Sequence, residues 1–282
     1  EIGVRLVGSE MCIRDSFLIY QGQNPEINKN QKSEEYTMAA DKSSLEKQLE
    51  DYRFALSKVS HEVRNPVTLI NSYLQLLEKD HPELKQNELW SDITEEMLFL
   101  RRLLDDLSCY NNTFCCQFSV TEMSPFLLKL SESVYLLFPD SPISYQISVP
   151  ENLPTLSVDP LKLNQALTNL LRNSFESAAQ SVSFSVVEKQ DCLQIDIIND
   201  GASISKEQQT EFFKPFVTTK PNGTGLGLPI ARGIIEAHHG SIAFLFPEDT
   251  SGSKNTSDNL DKSDTLFNHM SGSHLRIVLP LC

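Results

Sequence analysis

Apolar residues fall at Leu45, Leu49, Tyr52, Leu56, Val59, Val63, Pro66, Ile70, Tyr73 and Leu77, in alternating steps of four and three. That is the seam of a bundle or coiled-coil helix, sustained over more than four heptads. Ser43 or Ser44 stands where an N-cap belongs. Pro66 lies inside the run. It removes one backbone hydrogen bond and crowds the preceding turn, so a kink just after His61 is predicted. His81-Pro82-Glu83 ends the pattern, and Leu89, Ile93, Met97, Leu100, Leu104 and Leu107 then share the face of a second helix. Two long helices joined by a short loop make an antiparallel hairpin. One hairpin cannot bury its whole seam, whereas two can, as a four-helix bundle, so a homodimer is predicted.

Beyond Tyr110 the pattern changes. Residues 124–138, 160–179, 207–213 and 226–238 read as helices, and residues 143–149, 181–188, 192–198, 241–246 and 274–281 as strands. Helices alternating with mostly antiparallel strands give an α+β sandwich. Residues 248–273 are rich in Ser, Asp, Asn and Gly and carry too little apolar surface to order themselves, so they read as a flexible surface insertion. Residues 17–40 are polar and aperiodic, as a linker is. Residues 1–16 share no periodicity with the rest of the chain and resemble a translated adapter sequence, so they are set aside as a non-native scar. On that reading the natural upstream sequence is missing, and a membrane-bound sensor could have stood there. The expected organisation is a hairpin over 41–112, a linker over 113–123 and an α+β domain over 124–282.

The chain has 282 residues, 40 % of them apolar, enough for one or two cored domains. Its formal net charge of −14 argues against a nucleic-acid surface, which depends on Lys and Arg neutralising phosphates. It leaves room for a nucleotide site, which needs only local donors. No apolar run approaches the ~18 residues of a membrane span. The six cysteines include no C-x-x-C pair and read as reduced thiols of a cytoplasmic protein.

Four motifs carry candidate chemistry. In His61-Glu62-Val63-Arg64-Asn65-Pro66, Val59 and Val63 are seam positions, which puts His61 on the outward face. On periodicity alone a solvated surface histidine is the simpler reading. Glu62 beside it can orient or deprotonate the ring, and a neutral ring nitrogen is the nucleophile. Asn65 lies one turn further on the same side and could position a water. In the second motif, Asn169 and Asn173 share one face of a helix whose other face is apolar, a placement suited to a hydrated cation and its phosphates, or simply a polar helix face. In the third, Asn199-Asp200-Gly201 closes a strand with a turn and a ledge where a base could be hydrogen-bonded. The fourth runs from Phe212 through Lys220 to Gly223-Thr224-Gly225-Leu226-Gly227-Leu228. Glycines at alternate positions precede a helix, whose N-terminal amides and dipole favour anions. No Lys-Ser or Lys-Thr closes it as in a P-loop, and no strand feeds it as in a dinucleotide fold. Lys220 and Thr224 beside it suggest a phosphate lid.

Taken in order, these stretches resemble the H, N, G1, F and G2 boxes of the sensor histidine kinases, over roughly residues 41–281. The H-E-x-R-N-P and N-x-x-x-N-x-x-E-S-A forms are closest in style to sporulation-type kinases of spore-forming bacteria. The resemblance implies a dimerisation and histidine-phosphotransfer hairpin followed by a GHKL-type ATP-binding domain. It implies phosphorylation of His61 by ATP, with Glu62 as acid/base, Asn65 in the reverse phosphatase step, and onward transfer to a response-regulator aspartate. It further implies Mg²⁺ held through Asn173, with Asn169 at the phosphate end and Gly225 and Gly227 in the lid. Asn199, Gly201, Lys220, Thr224 and Leu226 complete the nucleotide side. Two positions depart from the family pattern. Asn199 stands where an aspartate usually accepts from the adenine amino group, and Ser203 replaces the second G1 glycine. An amide oxygen can still accept that bond, without charge assistance, so weaker ATP binding is expected. His238-His239-Gly240 matches a family packing motif rather than a metal site. The competing readings are an ATP-dead scaffold of the same fold and another GHKL-type ATPase.

Overall fold

A computed structural model describes residues 55–113, 115–139, 141–246 and 272–281. The chain divides into two compact units, Glu1–Lys58 and Val59–Cys282, and the second holds nearly all of the described elements. The expected cap at Ser43 or Ser44 and the seam positions Leu45, Leu49 and Tyr52 lie outside the described residues, as does most of the predicted insertion.

Helix α1 covers residues 55–80 and continues through Pro66. A short 3-10 helix, Pro82–Gln86, makes the turn. Helix α2, Glu88–Asn111, returns, with the Asn87 side chain accepting from the amides of Leu89 and Trp90 to cap it. The hairpin is therefore as expected, but its internal contact uses a different stripe from the apolar seam. The positions of α1 that are buried or half-buried from Val59 onward are Ser60, Arg64, Val67, Asn71, Leu74 and Glu78. The seam residues Leu56, Val59, Val63, Ile70, Tyr73 and Leu77 are 38–56 % exposed. An apolar stripe of that length facing water asks for a partner.

Strand β1, Ser119–Glu122, pairs antiparallel with β3, Thr155–Val158. The expected linker over 113–123 is thus half structured, since β1 occupies its second half and Met123 already opens helix α3, Met123–Tyr135. Both strands are only four residues long; β3 buries Leu156 and Val158 on one face, whereas β1 has no buried residue. The main sheet has the order β2-β4-β5-β7-β6, from Ser144–Ser148, Ser181–Glu188, Cys192–Asn199, Ser273–Pro280 and Ser241–Leu245. β2 runs parallel to β4 and every other pair is antiparallel. Ser273 already belongs to β7, which shortens the predicted insertion at that end.

Alternation decides which face is covered. Val182, Phe184 and Val186 of β4, Leu193, Ile195 and Ile197 of β5, and Leu275, Ile277 and Leu279 of β7 enter one core. Against them pack α3, α4 (Pro160–Ser177) and α6 (Gly227–Ala237). Asp159 starts α4. Its carboxylate accepts from the amides of Leu161 and Lys162 at 3.1 Å, while Pro160 fixes the first turn. The other carboxylate oxygen accepts from Gln117 at 2.7 Å, tying the strand β1 region to α4. Burial alone would raise this carboxyl, but these amides and Lys162 outweigh it and hold it below the ordinary aspartate value. Helix α5, Lys206–Phe212, carries a full capping box between Ser205 and Gln208.

Candidate functional site

Helix α4 lays Asn169, Asn173 and Ser177 along one face at four-residue steps. The start of α6 meets this row, and a Cβ on Gly227 would stand 3.8 Å from Asn173 Nδ2 and 4.0 Å from Asn169 Cγ. The third turn of the row meets the G1 ledge. A Cβ on Gly201 would run into the Ser177 carbonyl oxygen, so only glycine fits there. The second, third and fourth motifs are therefore brought together on one helix, glycine lid at one end and G1 ledge at the other.

The lid is fastened from several sides. Gly225 has φ of 65°, and a Cβ there would meet the Phe216 carbonyl carbon at 2.5 Å. Its carbonyl accepts from the Phe216 amide at 3.0 Å. Lys220 Nζ donates to Asn173 Oδ1 at 3.2 Å and also forms an ion pair with Glu176. Thr224 Oγ1 donates to Asp106 Oδ2 at 2.6 Å, and Asn222 Nδ2 to Glu95 Oε1 at 2.8 Å, so the lid is bonded to α2 of the hairpin. Leu226, expected on the nucleotide side, has a fully buried side chain and anchors the lid in the core. Burial pushes the Asp106 carboxyl above its ordinary value, and the Thr224 hydroxyl only partly offsets this.

On the hairpin, His61, Glu62 and Asn65 are exposed. Among the described residues no hydrogen bond or ion pair joins them to the lid or to α4. Arg64, between them, turns inward and donates to the Leu104 carbonyl at 3.0 Å, Asp105 at 3.1 Å and Ser108 at 2.9 Å. One helical turn is thus clamped across the hairpin while its neighbour His61 faces solvent.

The sequence of this arrangement matches two family models. Residues 52–109 match the His Kinase A (phospho-acceptor) domain, and residues 158–281 match the histidine kinase-, DNA gyrase B- and HSP90-like ATPase. The chain belongs to the two-component sensor histidine kinases. It is 30 % identical over 194 residues to sporulation kinase B of Bacillus subtilis, covering 67 % of this chain and 45 % of that protein. It is 28 % identical over 190 residues to the histidine-protein kinase AtoS of Escherichia coli, covering 66 % of this chain and 31 % of that one. The kinase core therefore spans less than half the length of either relative. Full-length ShkA, solved with AMPPNP, superposes with a TM-score of 0.62 at 19 % identity over 80 % of this chain and 45 % of that chain, a likeness of fold.

Within the kinase core, several partners had no signal in the motifs. Glu95 and Asp106 lie on α2, far from the lid in sequence. Ser273 opens β7 and donates its hydroxyl to Asn199 Oδ1. Asp200, adjacent to Asn199, points back toward the end of α4. It caps the turn after α4, accepting from the amides of Ala179, Gln180 and Ser181 and from the Ser181 hydroxyl. His238 is buried between α6 and the start of α4. Its Nδ1 donates to the Ile234 carbonyl at 2.7 Å and its Nε2 accepts from the Asp159 amide at 2.9 Å, so the packing role expected of the histidine pair falls to His238 while His239 is exposed. Among the described residues no cluster of His, Cys, Asp and Glu suits a metal, and no helix is long and apolar enough to cross a membrane. Of two surface clefts, of about 420 and 210 Å³, neither is lined by Asn169, Asn173, Asn199 or the glycines of the lid, and Phe213 is the one motif residue on the smaller.

Proposed function

We propose that this core phosphorylates itself on His61 from ATP and passes the phosphoryl group to an aspartate of a separate receiver domain. The observation that carries the reading is the pairing, in one chain, of an exposed histidine on a hairpin with the glycine lid set against Asn169 and Asn173. In the transfer a bond forms between the His61 ring nitrogen and the γ-phosphorus, and the bond to the β–γ bridging oxygen breaks, with ADP leaving. Glu62 takes the ring proton. Phosphoryl transfer depends mainly on positioning and charge neutralisation, and this chain supplies positioning through Gly225, Gly227 and the row of α4 amides.

The residues present fit Mg²⁺. Asn173 Oδ1 and the Glu176 carboxylate are hard oxygen donors, and a cation, the Lys220 ammonium, lies between them. Bound there, Mg²⁺ would neutralise phosphate charge, and Lys220 would be free to turn to the phosphates. The exposed seam of α1 supports a homodimer of hairpins. The organisation proposed is a phosphoacceptor hairpin over 41–112 and an ATP-binding domain over 124–282. A receiver domain is the partner implied by a complex of the related fold, the histidine kinase ThkA with the response regulator TrrA.

The test is incubation with γ-labelled ATP and Mg²⁺, with acid lability and alkali stability of the label as readout, beside His61→Ala and Asn173→Ala. Acid-labile label lost in both variants is the expected result. No label on a folded dimer would sink the proposal in favour of an ATP-dead scaffold, and phosphate release surviving His61→Ala would favour a general ATPase.

A further inference from the structure

The side-chain donors that the lid would offer to phosphates are held by carboxylates. Lys220 Nζ is paired with Glu176, inside the ATP-binding domain. Thr224 Oγ1 donates to Asp106 Oδ2 at 2.6 Å, and Asn222 Nδ2 donates to Glu95 Oε1 at 2.8 Å, so two carboxylates of the hairpin hold the rest. A hydroxyl has one proton to give. While Asp106 takes it, Thr224 cannot offer it to a phosphate oxygen, and the carboxylate sets a negative charge where a triphosphate would bring more. Docking also costs Asp106 part of its hydration, since burial raises its carboxyl more than the Thr224 hydroxyl lowers it. That hydration returns when the lid leaves.

The positions of the two carboxylates on α2 fix where the lid is held. Arg64 of α1 reaches the Leu104 carbonyl and the Ser108 hydroxyl, which marks the flank of α2 turned toward α1. By helix geometry Asp106 and Glu95 stand about 140–180° round α2 from those two residues. The lid is therefore docked on the flank of α2 that faces away from α1, the helix carrying His61. We infer that Asp106 and Glu95 are positioning residues that park the lid on the hairpin, and that the phosphates of the nucleotide compete with them for it, so that nucleotide binding releases the lid from α2. The inference rests on the reading of the lid as the phosphate side of a nucleotide site. Two partners that compete for one element weaken each other by the same factor, so breaking the latch tightens the nucleotide.

The test uses the full chain, with calorimetric titration of AMPPNP and Mg²⁺ beside the rate of labelling from γ-labelled ATP. Asp106→Ala binds AMPPNP about fivefold tighter or more and labels faster at subsaturating ATP. Glu95 lies about 16 Å further along α2, beyond the screening length of ~8 Å at physiological salt. Glu95→Ala therefore breaks the latch without removing a charge beside the phosphates, and it binds about twofold tighter. Asp105→Ala removes the adjacent carboxylate, which is bonded to Arg64 rather than to the lid, and leaves the affinity unchanged. Contacts that served only the fold would lower Tm and leave nucleotide affinity where it was. Equal affinities in the wild type, Asp106→Ala and Glu95→Ala would overturn the inference and leave the nucleotide site standing. The same gain in Asp105→Ala as in Asp106→Ala would also overturn it, because charge alone would then account for the effect. No binding by any of the four proteins would overturn the nucleotide reading and the inference with it.

Discussion

Removing the Asp200 carboxylate tests whether the G1 ledge is held by the turn beneath it. Oδ1 accepts from Ala179 and Gln180 at 2.9 Å and from Ser181 at 3.0 Å, and Oδ2 accepts from the Ser181 hydroxyl at 3.0 Å. Asp200→Ala leaves three amides and a hydroxyl without this acceptor. Ala179 and Gln180 are exposed, so water replaces part of each bond. At about 0.5–1 kcal/mol net per bond, discounted for that access, the loss comes to roughly 2 kcal/mol. For a chain of this size that lowers Tm by about 4–8 °C. Asp200→Asn keeps one acceptor oxygen and costs about half as much.

The pH dependence gives a second, independent reading. Burial alone would raise the Asp200 carboxyl, but the amides of Gln180, Ser181 and Ala179 and the Ser181 hydroxyl outweigh it, and the net effect is a depressed value. A depressed folded-state value stabilises above the unfolded pKa and loses that stabilisation as pH falls through the folded one. The gap between wild type and Asp200→Ala in urea unfolding is therefore full at pH 7 and shrinks below about pH 4. A gap under about 0.5 kcal/mol at pH 7, or one that does not change with pH, would refute the argument.

Other substitutions separate the clamps that surround the site. Arg64→Ala removes the Nη2 group, whose two N–H groups are shared among the Leu104 carbonyl, Asp105 and Ser108 across the hairpin, and lowers stability by about 1–2 kcal/mol in a denaturant titration. Asp106→Asn keeps an acceptor for Thr224 and removes a charge that burial disfavours. Its raised folded-state value means the cost of ionisation is present at neutral pH and absent once both states are protonated. Thermal melts should therefore show a gain below about 1 kcal/mol at pH 7 that fades under pH 4; a gain at both pH values would count against it. His238→Ala leaves the Asp159 amide unpaired in a buried cavity and costs about 2–4 kcal/mol, seen as a lower urea midpoint with unchanged slope.

How much is legible in the sequence depends on the range of the forces that write it. Periodicity reports a face repeated over many residues, so α2, α4 and the long strands β4, β5 and β7 are readable nearly to their ends, and α1 over its described residues. β1 and β3 are not, because four residues carry at most two inward side chains and their pairing is between distant segments. The same division runs through the site. Asn169 and Asn173 can be placed on one face because helix geometry alone sets their relation. Which side chains close on them depends on partners that the spacing cannot encode, such as Asp106 and Glu95 on a separate helix. The G1 ledge shows this most clearly. The substitution at Asn199 is visible in the sequence as a lost charge, which predicts only a weaker acceptor. Ser273 enters only through the register of β5 with β7, and its hydroxyl donates to that acceptor. The Ser273–Asn199 bond joins residues 74 positions apart, and neither reveals it alone.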